Sequence, residues 1–173
     1  MTIQSSGVTY DLSHLKATYR EVELELRGNF SKKINLEFKF SLHCYTRKIQ
    51  DGEEAPESEK IHDGSLEMQR IRIFDIPRYE LSFHLMDMID DLINEKGKVF
   101  NSQHHNFHHC QLIKGDKSID YVIFMHAKKT KIAPKRIDIY VESAYPYDPN
   151  DPPFSMAKPQ SFFKKLSKIW SDG

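Results

Sequence analysis

Cysteine is scarce in this chain of 173 residues, which has only Cys44 and Cys110. The two form no recognisable metal or redox spacing, and so few cysteines are typical of a reduced cytosolic protein and not of a disulfide scaffold. No apolar run approaches the roughly 20 residues that span a bilayer. The first residues, Met1 to Gly7, lack the basic and apolar regions of a secretory signal. We therefore expect a cytoplasmic protein without a membrane span.

An excess of charge is also lacking, because 25 basic residues balance 25 acidic ones. Nucleic-acid-binding domains are usually basic, so nucleic acid is not favoured as a partner, although a local basic groove stays compatible with this balance. The sequence contains no Walker loop, dinucleotide fingerprint, nucleophile elbow or recognisable pair of catalytic carboxylates. We therefore expect no cofactor. The length suits one domain with a real core.

Apolar and polar residues alternate in two neighbouring stretches. In the first, Val22, Leu24 and Leu26 alternate with charged residues, and Gly28-Asn29 then predicts a turn. The second runs from Ile34 to Arg47, and its apolar face is Ile34, Leu36, Phe38, Phe40, Leu42 and Cys44. A period of two over this length predicts a strand. The sequence thus predicts an antiparallel hairpin in which residues 34–47 form one continuous strand.

The remaining elements follow from spacing and composition. Apolar residues at helical intervals predict one main helix, begun after Pro77 with Ser82 as N-cap: Leu81, Leu85, Met88, Ile89, Leu92 and Ile93. Strands are predicted at about 106–113, 119–127 and 136–144. Residues 50–66 are acidic and rich in Gly, Pro and Ser, which predicts a mobile loop. Clustered prolines after residue 145 predict an extended strap that leads to a short helix.

These patterns predict an α+β fold with a mostly antiparallel sheet of four to five strands. One main helix packs on this sheet, and a short helix ends the chain. We expect a flexible N-terminus over 1–9, a single domain over 10–148, and a proline-rich strap with an amphipathic helix over 149–173.

His43 and Arg47 lie on the polar face of the second predicted strand. Histidine can act as an acid or base near neutrality, and arginine can hold a phosphate through two hydrogen bonds. Four residues of strand separate them by roughly 13 Å, so they reach one atom only with a bend or a second strand. The alternative is a solvated face on which Arg47 pairs with Glu23 or Glu25.

Three arginines, Arg70, Arg72 and Arg78, flank the predicted helix start. A helix N-terminus favours anions, so Arg78 with Ser82 is a candidate phosphate pocket. The equally weighted alternative is that these arginines pair with the acidic loop just upstream.

Histidines cluster between residues 103 and 110. On a strand, His104, His108 and Cys110 point one way, and His126 on the next strand is a further candidate metal ligand. Adjacent histidines point to opposite faces, and no ligand pair sits in a tight turn. We therefore prefer a polar sheet face to a metal site, and predict no bound metal.

Two further groups lie near the chain's end. Alternation places Ser143 and Tyr145 on the core face of Ile137, Ile139 and Val141; a hydroxyl there contacts a substrate phosphate or caps backbone groups. The C-terminal helix carries an apolar stripe, which predicts docking on its own sheet or on a partner in preference to a membrane surface. Together with Tyr45, the candidate partner-binding residues are Phe162, Phe163, Leu166 and Trp170.

Three phrases carry a resemblance over roughly Tyr10 to Asp148: 40–47 (FSLHCYTR), 78–82 (RYELS) and 140–146 (YVESAYP). They resemble a family of bacterial and prophage-borne proteins sometimes labelled stationary-phase adaptation or heat-shock proteins. That label implies a stress or mobile-element context and no particular reaction. A more distant likeness is to barnase/colicin-type ribonuclease toxins. It implies acid–base and phosphate contacts by His43, Arg47 and Arg78, with Ser143 as a late-strand hydroxyl, but this chain lacks the toxins' basicity.

The sequence therefore supports two functional hypotheses. The first is a non-enzymatic binding or regulatory protein of bacterial stress response or phage–host conflict, which acts through a protein partner. The alternative is a metal-independent ribonuclease that uses His43, Arg47 and Arg78. The chain contains many features typical of interaction surfaces and no complete catalytic set, which favours the first.

Overall fold

Strands dominate the computed structural model of the protein, which describes residues 1–26, 28, 30–64, 70–101, 106–114, 117–147 and 159–172. The described strands are β1 (Thr2–Ser5), β2 (Val8–Asp11), β3 (Thr18–Leu26), β4 (Phe30–Phe40), β5 (Thr46–Lys48), β6 (Ile61–Asp63), β7 (Arg70–Phe74), β8 (Lys98–Asn101), β9 (Asn106–Lys114), β10 (Lys117–Lys129), β11 (Ile137–Pro146) and β12 (Gln160–Ser161). The described helices are α1 (Ile76–Ser82), α2 (Leu85–Asn94) and α3 (Phe162–Asp172), and none of them is long and apolar enough to cross a membrane.

Three sheets organise these strands. The largest has the order β12-β8-β9-β10-β11-β4-β3, in which β11 and β4 are parallel and the other neighbours antiparallel. The smaller sheets are β1-β2 and β5-β7-β6. The prediction of mixed helix and strand is confirmed. The prediction of one four- to five-stranded, mostly antiparallel sheet with one main helix is wrong, because long-range pairing joins the hairpin to the later strands and divides the rest among small sheets.

The predicted hairpin forms, but its second strand is shorter than expected. β3 and β4 pair with Val22 opposite Ile34, and the core face of β4 is fully buried at Leu36 and Phe38. The strand ends at Phe40, and a 3-10 turn follows over Leu42–Cys44. The Ser41 hydroxyl accepts a hydrogen bond from the His43 N–H at 3.0 Å. The prediction of one continuous strand over 34–47 is therefore wrong. The alternation of polar and apolar residues continues in the sequence past Phe40, but the Ser41 side chain caps a turn there and the backbone changes direction.

The main helix is divided in two. Asp75 caps α1 through its side chain, which accepts from the Arg78 N–H at 2.9 Å, and Pro77 lies in the first turn, where its missing N–H costs nothing. Ser82 ends α1 and does not cap it, as its hydroxyl donates to the Tyr79 carbonyl. The N-cap of the helix was therefore predicted seven residues too late, at Ser82 and not at Asp75.

The His14 side chain contacts the residues at the break between α1 and α2. Its ring stacks on Phe83 with centroids 3.8 Å apart, and its Nε2 lies 2.6 Å from the Ser82 hydroxyl. Burial is the main cause that lowers the pKa of His14 below its ordinary value of 6.5, against the opposing effect of Asp11.

We expect acidification to weaken the fold through His14. The unfolded chain takes up this proton near pH 6.5, whereas the folded chain resists it, so stability falls as the pH drops below that value and levels off below the folded pKa. Thermal unfolding between pH 7.5 and 5 measures the effect, and His14→Gln should show the smaller decline. Equal declines in both proteins would contradict it.

The C-terminal helix completes the core. α3 packs against β3 and β10, with Phe162 2% exposed and Leu166 fully buried, while Phe163, Ile169 and Trp170 are partly buried against the same cluster. Lys129 and Lys32 approach the Trp170 ring at 4.9 and 5.2 Å. The helix therefore docks on its own sheet, one of the two arrangements left open by the sequence. The proline-rich strap over 149–158 lies outside the described residues, whereas the helix that follows it, α3, is described.

The acidic segment 50–66 has more structure than predicted. Over its described part it contains a 3-10 turn, Glu57–Glu59, and strand β6, which pairs with β7. Its carboxylates have partners outside the segment as well as within it: Glu53 binds Arg47, and Glu59 accepts from the Ser6 N–H at 3.0 Å. The described part of the segment thus contains short regular elements, because pairing with β7 supplies an order that its composition does not predict; its mobility stays a prediction.

Candidate functional site

The bend after β4 places the buried residue Thr46 at the centre of a candidate site. Thr46 is fully buried, and its hydroxyl donates to the Leu42 carbonyl at 2.7 Å, which closes the turn. Its own carbonyl oxygen accepts from Arg72 Nη2 at 2.8 Å and from Arg78 Nη1 at 3.2 Å. Arg72 Nε also donates to the Thr46 hydroxyl at 2.7 Å. One backbone carbonyl thus gathers two guanidinium groups from different elements, and we call these three residues the arginine site.

The arginine site has no counter-ion among the described residues. Arg72 is 7% exposed and Arg78 half-buried, yet no described carboxylate lies within 4.0 Å of either guanidinium. Burial, and next the neighbouring Arg78, lowers the pKa of Arg72, and Asp63 opposes this only in part. A buried cation normally has a carboxylate partner, because desolvation is costly. The site therefore has positive charge to offer an anion.

His43 and Asp63 lie beside the arginines. His43 Nε2 is 2.7 Å from Asp63 Oδ2, and the two side chains are 28% and 24% exposed. Arg78 Nη1 reaches the His43 carbonyl oxygen at 3.2 Å, so the recorded contact between them is through the backbone. The pair can hold and orient a proton at the edge of the site, since a carboxylate fixes the ring of its histidine partner.

Arg47 points away from the other predicted residues. Its guanidinium forms two hydrogen bonds with Glu53, at 2.6 and 2.7 Å, and its Nε lies 3.3 Å from Asp75 Oδ2. The Arg47 hydrogen bond lowers the pKa of Glu53 to about 2. Arg47 is therefore compensated, by the acidic loop and not by the predicted Glu23 or Glu25. The structure brings His43 and Arg78 together. The second arginine that lies beside Arg78 is Arg72 and not Arg47.

Arg72 was one of the three arginines noted in the sequence, without a role of its own. Alternation in Arg70–Phe74 was the available signal, because it places Arg70 and Arg72 on one face of a strand. What sequence reasoning missed is that Arg72 is buried. That required knowledge of the three-stranded sheet.

A β-bulge moves Ser143 and Tyr145 off the predicted face. Met125 pairs with Val141 and Phe124 with Ser143, so Glu142 is the extra residue of the bulge. A bulge reverses the alternation, which puts Ala144 in the core and Ser143 on the opposite face. The core-face placement of Ser143 and Tyr145 was therefore wrong. No contact of the Ser143 hydroxyl with a base is recorded among the described residues, so it lacks the activation of a nucleophile.

The same bulge connects Tyr145 to the arginine site. The Arg78 guanidinium carbon lies 4.9 Å from the centre of the Tyr145 ring, which stacks on Phe124 at 5.8 Å. The Ser41 hydroxyl donates to the Glu142 carbonyl at 2.6 Å, which ties the bulge to the turn that precedes Thr46. Tyr145 thus contacts Arg78 through a cation–π interaction.

The residues predicted to bind a partner lie mainly in the core. Tyr45 is half-buried against the core cluster, and burial raises its pKa. Phe162 and Leu166 are buried, and Phe163 and Trp170 partly so, as described above. Intramolecular packing accounts for the apolar stripe, so these side chains offer a partner little free surface.

The predicted metal candidates do not assemble among the described residues. His104 and the side chains of His108 and Cys110 lie outside the described part of the chain, and His126 is exposed on β10. Within the described residues, no group of three or more His, Cys, Asp or Glu side chains is arranged to hold a metal ion.

A second polar cluster on β4 and β11 provides a contrast with the arginine site. Glu37 lies 2.6 Å from Arg136 and 3.1 Å from Lys39, and Asp138 lies 2.8 and 2.9 Å from the same two cations. Two carboxylates therefore balance two cations. This cluster has no uncompensated charge, which leaves the arginine site as the stronger candidate for ligand binding.

A protein-family model matches nearly the whole of this chain. No curated protein and no solved structure matches the chain. The sequence model of the YjaZ family matches residues 2–170, which covers β1 to α3 and includes every residue of the arginine site. This chain therefore belongs to the YjaZ family.

Proposed function

We propose that this protein is a non-enzymatic binding protein that engages a protein partner by holding an anionic group between Arg72 and Arg78. The observation that carries the proposal is the buried Arg72 guanidinium, which lacks a described carboxylate within 4.0 Å. An acidic group of a ligand supplies the missing counter-charge, and arginine binds carboxylates and phosphates in a matching planar geometry. The context implied by the resemblance, bacterial stress response or phage–host conflict, is part of this proposal.

Binding of a small anion tests the site before any partner is known. We expect inorganic phosphate to raise the melting temperature relative to chloride at equal ionic strength, because a ligand of the folded state stabilises it. In Arg78→Gln the affinity for phosphate should fall roughly tenfold, the loss expected for one charged hydrogen-bonding partner. Calorimetric titration of both proteins measures this ratio.

Arg47→Gln is the matched control. Arg47 is compensated by Glu53 and Asp75, so its loss should leave phosphate affinity within about twofold of the parent. If Arg78→Gln binds phosphate as tightly as the parent does, the arginine site is not the binding site and the proposal fails.

The alternative is a metal-independent ribonuclease, and the His43–Asp63 pair beside Arg78 is the observation that favours it. Cleavage by acid–base catalysis needs one group to accept a proton and another to donate one across the scissile phosphate. His43 and Asp63 bind each other at 2.7 Å and form one such group between them. We therefore expect total RNA to stay intact in EDTA. Cleavage that disappears in His43→Ala would favour the ribonuclease and overturn the binding proposal.

A further inference from the structure

The loop between β10 and β11 concentrates positive charge in a chain whose net charge is zero. Residues 128–136 read KKTKIAPKR, so five of these nine residues are cationic and none is acidic. Thr130 closes the loop, because its N–H donates to the Arg136 carbonyl at 2.9 Å and its hydroxyl accepts from the Arg136 N–H at 2.9 Å. Residues 131–135 are all exposed. The closed loop therefore presents its charge to the surroundings of the protein.

Two cations of this loop, Lys131 and Lys135, have no counter-ion in the described part of the chain. Neither lies within 4.0 Å of a described carboxylate. Arg136 differs from them, since Glu37 lies 2.6 Å and Asp138 2.8 Å from its guanidinium. Those two carboxylates are therefore occupied at the base of the loop, and they leave the charge of its outer part uncompensated.

An apolar tip lies between these two lysines. Ile132 is 83% exposed, the largest exposure of a large hydrophobic side chain among the described residues, and its neighbours Ala133 and Pro134 are exposed too. Lys128, Lys131 and Ile132 line one cavity of about 490 Å³, so they surround a common opening beside the tip. An apolar tip with a cationic rim is complementary to an anionic bilayer, where apolar groups enter the acyl boundary and lysines reach the headgroups.

The acidic residues at this end of the main sheet lie away from the loop. The β3–β4 hairpin turns at the same end, because β4 and β11 run parallel with Leu36 opposite Ile137. Its exposed acids Glu23 and Glu25 are on β3, the edge strand that β4 separates from β11. Two strand spacings place the backbone of β3 roughly 10 Å from that of β11. These acids therefore leave the lysines of the loop available to a ligand.

We propose that loop 130–136 docks the protein on the surface of an anionic lipid bilayer. Ile132 enters the boundary between headgroups and acyl chains, while Lys128, Lys131 and Lys135 bind lipid phosphates. One apolar side chain with a few cations gives reversible binding, because each lysine near such a surface adds only a modest attraction.

This docking is independent of the proposed function and compatible with it. β11 begins after the loop at Ile137, and its Tyr145 contacts Arg78 of the arginine site. Eight steps of strand separate Ile137 from Tyr145 by roughly 25 Å. A bilayer at the loop therefore leaves the arginine site at the far end of β11, where it stays accessible to a partner.

Nucleic acid, the other common polyanion, fits the loop less well than a bilayer does. Single strands are bound by a basic channel with aromatic rings on which successive bases stack. Tyr140 is the one aromatic residue among those that line the cavity, and Lys39 already approaches its ring at 5.2 Å. An exposed Ile132 adds nothing to the binding of a phosphate backbone, whereas a bilayer buries it. The apolar tip therefore favours the lipid surface.

Co-sedimentation with vesicles tests this proposal. We expect the full chain to bind vesicles of phosphatidylglycerol and phosphatidylcholine in equal parts, and pure phosphatidylcholine at least tenfold more weakly. Lys131→Ser/Lys135→Ser should weaken binding to the anionic vesicles roughly 25-fold, since each lysine near such a surface contributes about fivefold. Ile132→Ser should weaken it roughly tenfold, because an apolar side chain no longer leaves water.

Lys16→Ser/Lys48→Ser is the matched control. These two exposed lysines lie outside the loop, just before β3 and at the end of β5. Their loss should leave the affinity for anionic vesicles within about twofold of the parent at equal ionic strength. All the substituted positions are exposed, and circular dichroism verifies that each variant is folded.

Four outcomes would overturn the bilayer proposal. The first is equal binding to the two vesicle compositions, and the second is binding of Ile132→Ser as tight as that of the parent. The third is an oligouridine that binds more tightly than the vesicles do and is lost in Lys131→Ser/Lys135→Ser, which would make nucleic acid the ligand of the loop. The fourth is vesicle binding that is lost in Arg78→Gln and kept in Lys131→Ser/Lys135→Ser, which would place the headgroup in the arginine site.

Discussion

Replacing Phe38 with alanine is expected to lower the free energy of unfolding by about 3–5 kcal/mol, the usual cost of removing a buried aromatic ring. Phe38 is fully buried on β4, which pairs with β3 on one side and β11 on the other. The ring therefore has no route to water, and its loss leaves a cavity between strand neighbours that move little. Urea unfolding followed by circular dichroism measures the change.

The same strand supplies the control. Phe30, at the start of β4, is 57% exposed, so Phe30→Ala should change the free energy of unfolding by less than about 1 kcal/mol. Small domains are stable by only about 5–15 kcal/mol, so Phe38→Ala is expected to approach the limit of folding. Phe38→Leu keeps most of the volume and gives a graded loss if the alanine variant does not fold. Equal effects at residues 30 and 38 would contradict the assignment of the core face.

In the folded protein, Cys44 is expected to react with thiol reagents about a thousandfold more slowly than an exposed cysteine does. It is fully buried, with its Sγ 3.8 Å from the Val141 carbonyl oxygen, and burial raises the pKa of the thiol from 9.0 to about 12. The thiolate is the reactive form, so each pKa unit removes tenfold of the reactive population at pH 8. The rate of reaction with Ellman's reagent, in a Cys110→Ser background, measures it.

Lys33→Cys in a chain without the native cysteines gives the reference rate for an exposed thiol, since the Lys33 side chain is 73% exposed. Adding denaturant should bring Cys44 to the same rate. If native Cys44 reacts as fast as the reference, the turn over Leu42–Cys44 does not bury it, and the position of Thr46 two residues later is also in question.

Local patterns in the sequence were sufficient to predict the five longest of the described strands, β3, β4, β9, β10 and β11. The alternation around Val22 and Ile34 predicted the β3–β4 hairpin, and the later strands lie close to where they were predicted. Period-two alternation over many residues has few other physical explanations, because side chains on a strand point to opposite faces in turn. The apolar stripe of α3 was likewise visible, since helical spacing places Phe162 and Leu166 on one face.

The errors occur where one residue changes the phase of a pattern. In the sequence, the alternation of apolar and polar residues continues to Arg47, but Ser41 caps a turn within it. Glu142 forms a bulge that moves Ser143 to the other face of the sheet. Neither a serine nor a glutamate at these positions distinguishes the turn or the bulge from the rest of a strand. A cap or a bulge forms when its hydrogen-bond partner is supplied from elsewhere, here by contacts between residues 41 and 141–142 that are about 100 positions apart.

The mixture of helix and strand, the positions of the five longest strands and the apolar faces of α2 and α3 were thus encoded locally, since they depend on the periodicity of neighbouring side chains. The arginine site was not. Arg72 and Arg78 meet at the Thr46 carbonyl because three separate segments converge, and their lack of a described counter-ion is a property of that convergence. Burial and ion pairing depend on distances across the fold, which no local pattern of residues specifies.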